Sequence, residues 1–105
     1  MMNTLKDYEK VHRHPVNIAI HVLTVPFFVG GTLNALLRLA YGNMEHALAG
    51  FLLAFLALAL QRFGHSLEAH QPAPFASLFD GIKRIFAEQV YRFWLFLVLK
   101  IQGVF

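Results

Sequence analysis

The sequence predicts an all-α fold: a small membrane-embedded bundle of about three hydrophobic helices with one amphipathic helix lying in the interface. Two compositional observations lead there. Of 105 residues, 57% are hydrophobic and only 14% charged, against about a quarter charged in an ordinary soluble domain. The apolar residues are also gathered into long runs. Val16 to Ala40 carries one charge, Arg38; Ala47 to Leu60 carries none; Val90 to Phe105 carries Arg92 and Lys100. A span needs roughly 20 apolar residues to cross a hydrocarbon core of about 30 Å. The first run meets this and the other two approach it with their flanks. The length fits a single domain over residues 1–105.

The first helix is expected to start at His14-Pro15, because proline suits the first helical position and disfavours helix in the residue before it. Polar and charged residues precede this run, unlike a cleavable signal peptide, so the helix is expected to be retained. Tyr41-Gly42-Asn43 reads as a tight turn that brings the second helix back antiparallel to the first. In the second helix Gly50 and Ala54 form a small-xxx-small pair that permits close helix approach. Gln71-Pro72-Ala73-Pro74 then ends helical structure. From Phe75 to Phe86, Phe75, Leu78, Phe79, Ile82 and Phe86 recur at steps of three and four, with Asp80, Lys83 and Arg84 opposite. That is the pattern of a helix lying in a membrane surface.

The net charge of +3 does not indicate nucleic acid, since Lys and Arg form no stripe with interleaved aromatics on a soluble face. They read as topology signals. Lys6, Lys10 and Arg13 precede the first run, and Arg62, Lys83, Arg84 and Arg92 surround the long second connection. The positive-inside rule then places the N-terminus and that connection on the cytoplasmic side. So small a bundle has little core of its own, which leaves room for a homodimer.

Six histidines stand in this apolar chain, and His12, His14, His21 and His65 fall at the ends of its long runs on the same side. Polar groups at membrane depth are expensive and mark function by default. With no cysteine, a metal would be held by nitrogen and oxygen, which favours iron, zinc or manganese. On an ideal helix His14, Asn17 and His21 share an arc of about 60 degrees, but His14 and His21 lie about 10.5 Å apart along the axis. His65 and Glu68, about 4.5 Å apart along an axis, suit a ligand pair, or a ligand with a supporting carboxylate. His46 and His70 read as interfacial anchors.

The segment His12-Arg13-His14-Pro15-Val16-Asn17-Ile18-Ala19-Ile20-His21, continuing to Pro26, resembles an H-x4-N-x3-H-x4-P signature. Gln61, Gly64-His65, Glu68 and Pro72-Ala73 resemble its companion Q-x2-G-H, E and P-A block. Both belong to the 2-hydroxy fatty acid dioxygenase family, small membrane proteins related to the yeast endoplasmic-reticulum enzyme of fatty acid alpha-oxidation. The resemblance marks His12 rather than His14. Nine residues before His21, His12 would point the opposite way on an unbroken helix, so the chain must change direction at Pro15.

The resemblance implies an iron(II)-dependent dioxygenase, an oxidoreductase that shortens 2-hydroxy fatty acids by one carbon and releases carbon dioxide. It implies His12, His21 and His65 as catalytic metal ligands with Glu68 beside them. Asn17 is expected in substrate binding, and cationic Arg62 or Arg13, on the same side as the histidines, is expected to attract the substrate carboxylate. The substrates are then a 2-hydroxy fatty acid and dioxygen. The acyl chain is expected among Phe27, Phe28, Leu52 and Phe55, in contact with the bilayer. The alternative is a non-enzymatic membrane protein whose histidines bridge helices or bind heme through His21 and His65.

Overall fold

The computed structural model describes residues 5–72 and 74–104; Ala73 of the Pro-Ala pair and Phe105 at the end of the third run lie outside them. Among the described residues every regular element is helical. α1 (Leu5–Lys10), α2 (Pro15–Ala40), α3 (Met44–Ser66) and α4 (Leu78–Ala87) are followed by a π-helical turn (Glu88–Arg92) and α5 (Phe93–Ile101).

The chain does turn before Pro15. Pro15 opens α2, where its missing N–H is not needed, and the extended His14 accepts the Val16 N–H on Nδ1 at 3.1 Å. The short α1 therefore folds back as a separate element. At the other end Gly42 adopts φ 77°, a left-handed conformation open to glycine. The Asn43 N–H donates to the Arg38 carbonyl at 2.8 Å, and the Asn43 side chain accepts the His46 N–H to start α3.

α2 and α3 are antiparallel, as the neighbours Asn17 with Gly64, Thr24 with Gln61, and Gly31 with Gly50 show. The closest approach is backbone on backbone. A Cβ placed on Gly50 would lie 2.7 Å from the Gly31 carbonyl oxygen and 3.0 Å from the Ala35 Cβ, the small-residue packing that membrane helices use. Gly50→Ala is expected to push the helices apart and destabilise the protein by about 1–3 kcal/mol, read as a lower unfolding midpoint in micelles. An unchanged midpoint would mean that this contact does not set the helix spacing.

α2 and α3 are both long and apolar enough to cross a membrane. Leu23, Leu33, Leu37, Leu48, Leu52 and Phe55 stand exposed along them, an apolar surface far larger than a water-soluble monomer tolerates. The third run differs from expectation. It does not form an independent span: α4, the π turn and the nine-residue α5 follow one another without a break, so the amphipathic segment and the last apolar run make one jogged rod. Ser77 caps its start by accepting the Asp80 N–H, and Leu78, Phe79, Ile82 and Phe86 stay exposed on α4. Inward, Phe93 and Phe96 pack with Tyr8 and Val25, which fixes α1 and α5 against the N-terminal half of α2.

A candidate metal centre at the helix ends

Four segments converge where α2 begins and α3 ends. His12 comes from the turn after α1, His21 from the second turn of α2, His65 from the last turn of α3, and Glu88 from the start of the π turn. One ring nitrogen from each histidine and a Glu88 oxygen all lie within 4.8 Å of one another. His12 and His21 are 1% and 0% exposed. Glu88 Oε1 stands at the hub, 3.0 Å from His21 Nε2, 3.3 Å from His12 Nε2 and 4.0 Å from His65 Nε2.

The surroundings decide which nitrogens carry hydrogen. His12 Nδ1 lies 2.8 Å from the Tyr8 carbonyl and His21 Nδ1 lies 2.9 Å from the Asn17 carbonyl. A carbonyl only accepts, so each Nδ1 must be the donor, and in a neutral ring Nε2 is then left with a bare lone pair. Burial pushes His12 below its ordinary value, against the pull of Glu88, which favours that neutral form. Two lone pairs and a carboxylate oxygen thus face one another in a buried space. Positive charge placed among them resolves the repulsion.

His65 faces the hub through Nε2, 4.0 Å from Glu88 Oε1. Its Nδ1 is buried and has no hydrogen-bond partner among the described residues, an arrangement rare for a buried polar atom.

Glu68 does not join the hub. α3 ends at Ser66, so His65 and Glu68 do not share a helical face, and the chain carries Glu68 back onto the start of α2. There Oε1 accepts the Arg13 and His14 N–H groups at 2.9 and 3.0 Å, and Oε2 accepts from His14 and from Asn17 Nδ2 at 2.9 and 2.7 Å. Asn17, fully buried, spends its amide on Glu68 and the Val11 carbonyl. It does not line the cavity beside the site. His14 is occupied as the α2 cap and stands apart from the cluster.

Glu88 is the member that the sequence reading missed. It lies two residues before the third apolar run, and an acid at that boundary was the available signal. Its orientation depends on the π turn, in which the Phe93 N–H reaches the Glu88 carbonyl; such turns recur at functional sites. Gln89 and Gln61 hold the turn to α3 through a reciprocal buried amide pair, 2.9 and 2.7 Å, with Gln61 also donating to Thr24 Oγ1.

A cavity of about 700 Å³ opens beside the hub, within the range of small-molecule sites. His12, His65 and Glu88 form one part of its wall, Arg62, Arg84 and Arg92 contribute cations, and Leu58, Phe75 and Ile85 contribute apolar surface. None of the residues expected around the acyl chain lines this cavity. Phe27, Leu52 and Phe55 are 57%, 61% and 71% exposed and face outward, while Phe28 is buried among Ala54 and Ala57. They lie higher in the α2–α3 pair than the cavity does.

Three histidines and a carboxylate gathered at the helix ends of an all-helical chain form a group that could hold a metal ion. The chain belongs to the Mpo1-like family, described as 2-hydroxy-palmitic acid dioxygenase Mpo1-like, whose profile it matches over residues 1–100. Neither curated proteins nor solved structures gave a match.

Proposed function

We propose that this protein is an iron(II)-dependent dioxygenase of the membrane that converts 2-hydroxy fatty acids to acids one carbon shorter with release of carbon dioxide. One observation carries the reading: His12 and His21, each with Nδ1 held by a backbone carbonyl, turn Nε2 toward the Glu88 carboxylate at 3.3 and 3.0 Å, an arrangement suited to a cation. Three nitrogens and one oxygen suit iron(II) as a donor set. The family name supplies the substrate class.

His12, His21, His65 and Glu88 would hold the metal. Iron(II) bound there would supply open coordination positions and the redox capacity that dioxygen chemistry needs. The other roles belong to the chain itself. The Tyr8 and Asn17 carbonyls fix the ring orientation of His12 and His21. Arg62, exposed on the cavity wall, offers a guanidinium fork to the substrate carboxylate. Leu58, Phe75 and Ile85 take the acyl chain and keep water from the reacting end. Asn17 serves the site from behind, through Glu68, rather than by touching substrate.

The overall change balances without a further reductant. R-CH(OH)-COOH and O2 give R-COOH, CO2 and H2O, a four-electron oxidation matched by the four electrons that one dioxygen accepts.

The heme alternative finds no support in the geometry. The His21 and His65 rings lie 5.0 Å apart at 81°, with the His12 ring 4.8 and 4.7 Å from them, and no slot for a porphyrin opens between them. The basic residues Lys10, Arg13, Arg62, Arg84 and Arg92 cluster at the site's end of the helices, which supports a cytoplasmic orientation.

Anaerobic titration of iron(II) into tag-free protein, followed by oxygen uptake with 2-hydroxypalmitate, tests the proposal. One equivalent of iron and uptake with 2-hydroxypalmitate but not palmitate are expected, and His21→Ala should abolish both. Equal iron binding by wild type and His21→Ala would remove the claim.

A further inference from the structure

Tyr8 is one of the most buried residues of the chain, 3% exposed, on a helix of only six residues. Its three parts all act on the hub. The carbonyl receives His12 Nδ1, the ring stacks on the His12 ring at 3.9 Å and 13°, and the hydroxyl donates to Glu88 Oε1 at 3.3 Å. The ring also packs on Phe96 of α5 at 5.3 Å. Packing alone would be served equally by phenylalanine, so the hydroxyl needs its own account.

We propose that the Tyr8 hydroxyl is the positioning group for Glu88, holding that carboxylate in the single-oxygen approach to the histidine hub in which it serves as a metal ligand. The inference rests on the metal reading above and deepens it. Glu88 sits on a rod that reaches the hub only through the π turn, and its carboxylate is 24% exposed beside an open cavity. Without a tether from the α1 side, the carboxylate is free to swing toward the cavity and its arginines. A phenol suits the task because it keeps its proton at neutral pH and, unlike His12 and His21, offers a hydrogen rather than a lone pair to Oε1. Outer partners of this kind orient a ligand and tune the site without touching the ion.

The test is Tyr8→Phe, which keeps the ring stack and removes the hydroxyl. Cobalt(II) and iron(II) titrations of the full chain in micelles should show binding about 10–100-fold weaker than wild type. The visible spectrum of the cobalt(II) protein should change, while the metal-free unfolding midpoint stays close to that of wild type. Unchanged affinity with an unchanged spectrum overturns the proposal and leaves the metal reading standing. A wild-type protein that binds no metal overturns both. Should Tyr8→Phe itself lower the metal-free midpoint, the cobalt(II) spectrum at saturating metal decides: a changed spectrum supports the hydroxyl as the tether of Glu88, and a wild-type spectrum overturns the proposal.

Discussion

Glu88→Gln is expected to eliminate high-affinity metal binding, with a loss beyond the roughly 10–100-fold that removal of an outer partner causes, and to abolish oxygen uptake with 2-hydroxypalmitate. Glutamine keeps the shape of the side chain and removes the negative charge. The remaining donors are three imidazoles, two of them buried, and no anion compensates the charge of a divalent ion taken out of water. The same change should leave metal-free protein as stable as wild type, or more so. The reason lies in the hub: the Glu88 carboxylate faces the His12 and His21 lone pairs at 3.3 and 3.0 Å, an unfavourable meeting that the neutral amide relieves by donating its N–H. Metal should therefore raise the unfolding midpoint of wild type and not of the variant. At a concentration 100 times Kd the stabilisation amounts to about 2.7 kcal/mol. His14→Ala serves as the control, since that side chain only caps α2, and it should bind metal as wild type does. A Glu88→Gln protein that binds iron normally and turns over would remove the carboxylate from the site.

The apolar runs of α2 and α3 and the Tyr41-Gly42-Asn43 turn were legible in the sequence because each depends on local chemistry. Continuous hydrophobicity specifies a long helix in lipid, and glycine with asparagine permits the reversal. His21 and His65 stood out because each lies in an apolar helix where an idle polar group is expensive. The convergence of His12 with them required the break at Pro15, which the family resemblance demanded and helical periodicity alone did not. What was not legible rests on tertiary packing. The π turn is held by Gln61 and Gln89 across two segments 28 positions apart, and no local pattern announces it. Glu88 is inconspicuous in the sequence for that reason, and the last apolar run, which by composition alone suggests a separate span, is the second half of a jogged rod. Helical spacing pairs Glu68 with His65 only while the helix continues, and it ends at Ser66.

Glu68→Ala is expected to lower stability by about 1–3 kcal/mol, the cost of leaving buried hydrogen-bond donors without a partner. The first turn of α2 contains no acid of its own, and its helix dipole and leading N–H groups need one. Glu68 supplies it from beyond the end of α3, at 6% exposure, to the Arg13 and His14 amides and to Asn17. Alanine strands all three donors. The effect also carries a pH signature. Burial raises the Glu68 carboxyl, but hydrogen bonds from Asn17, Arg13 and His14 outweigh it and hold it below its ordinary value. A carboxyl depressed by folding contributes stability that is present above its unfolded pKa, about 4.3, and is lost as pH falls through the lower folded value. The difference in unfolding midpoint between wild type and Glu68→Ala, measured on metal-free protein, should thus be constant near neutrality and shrink in acid. Because Glu68 anchors the turn that carries His12, metal binding should weaken as well, in step with the loss of stability. A variant whose metal-free stability matches wild type while its metal affinity collapses would instead make Glu68 a ligand and overturn its role as the cap of α2.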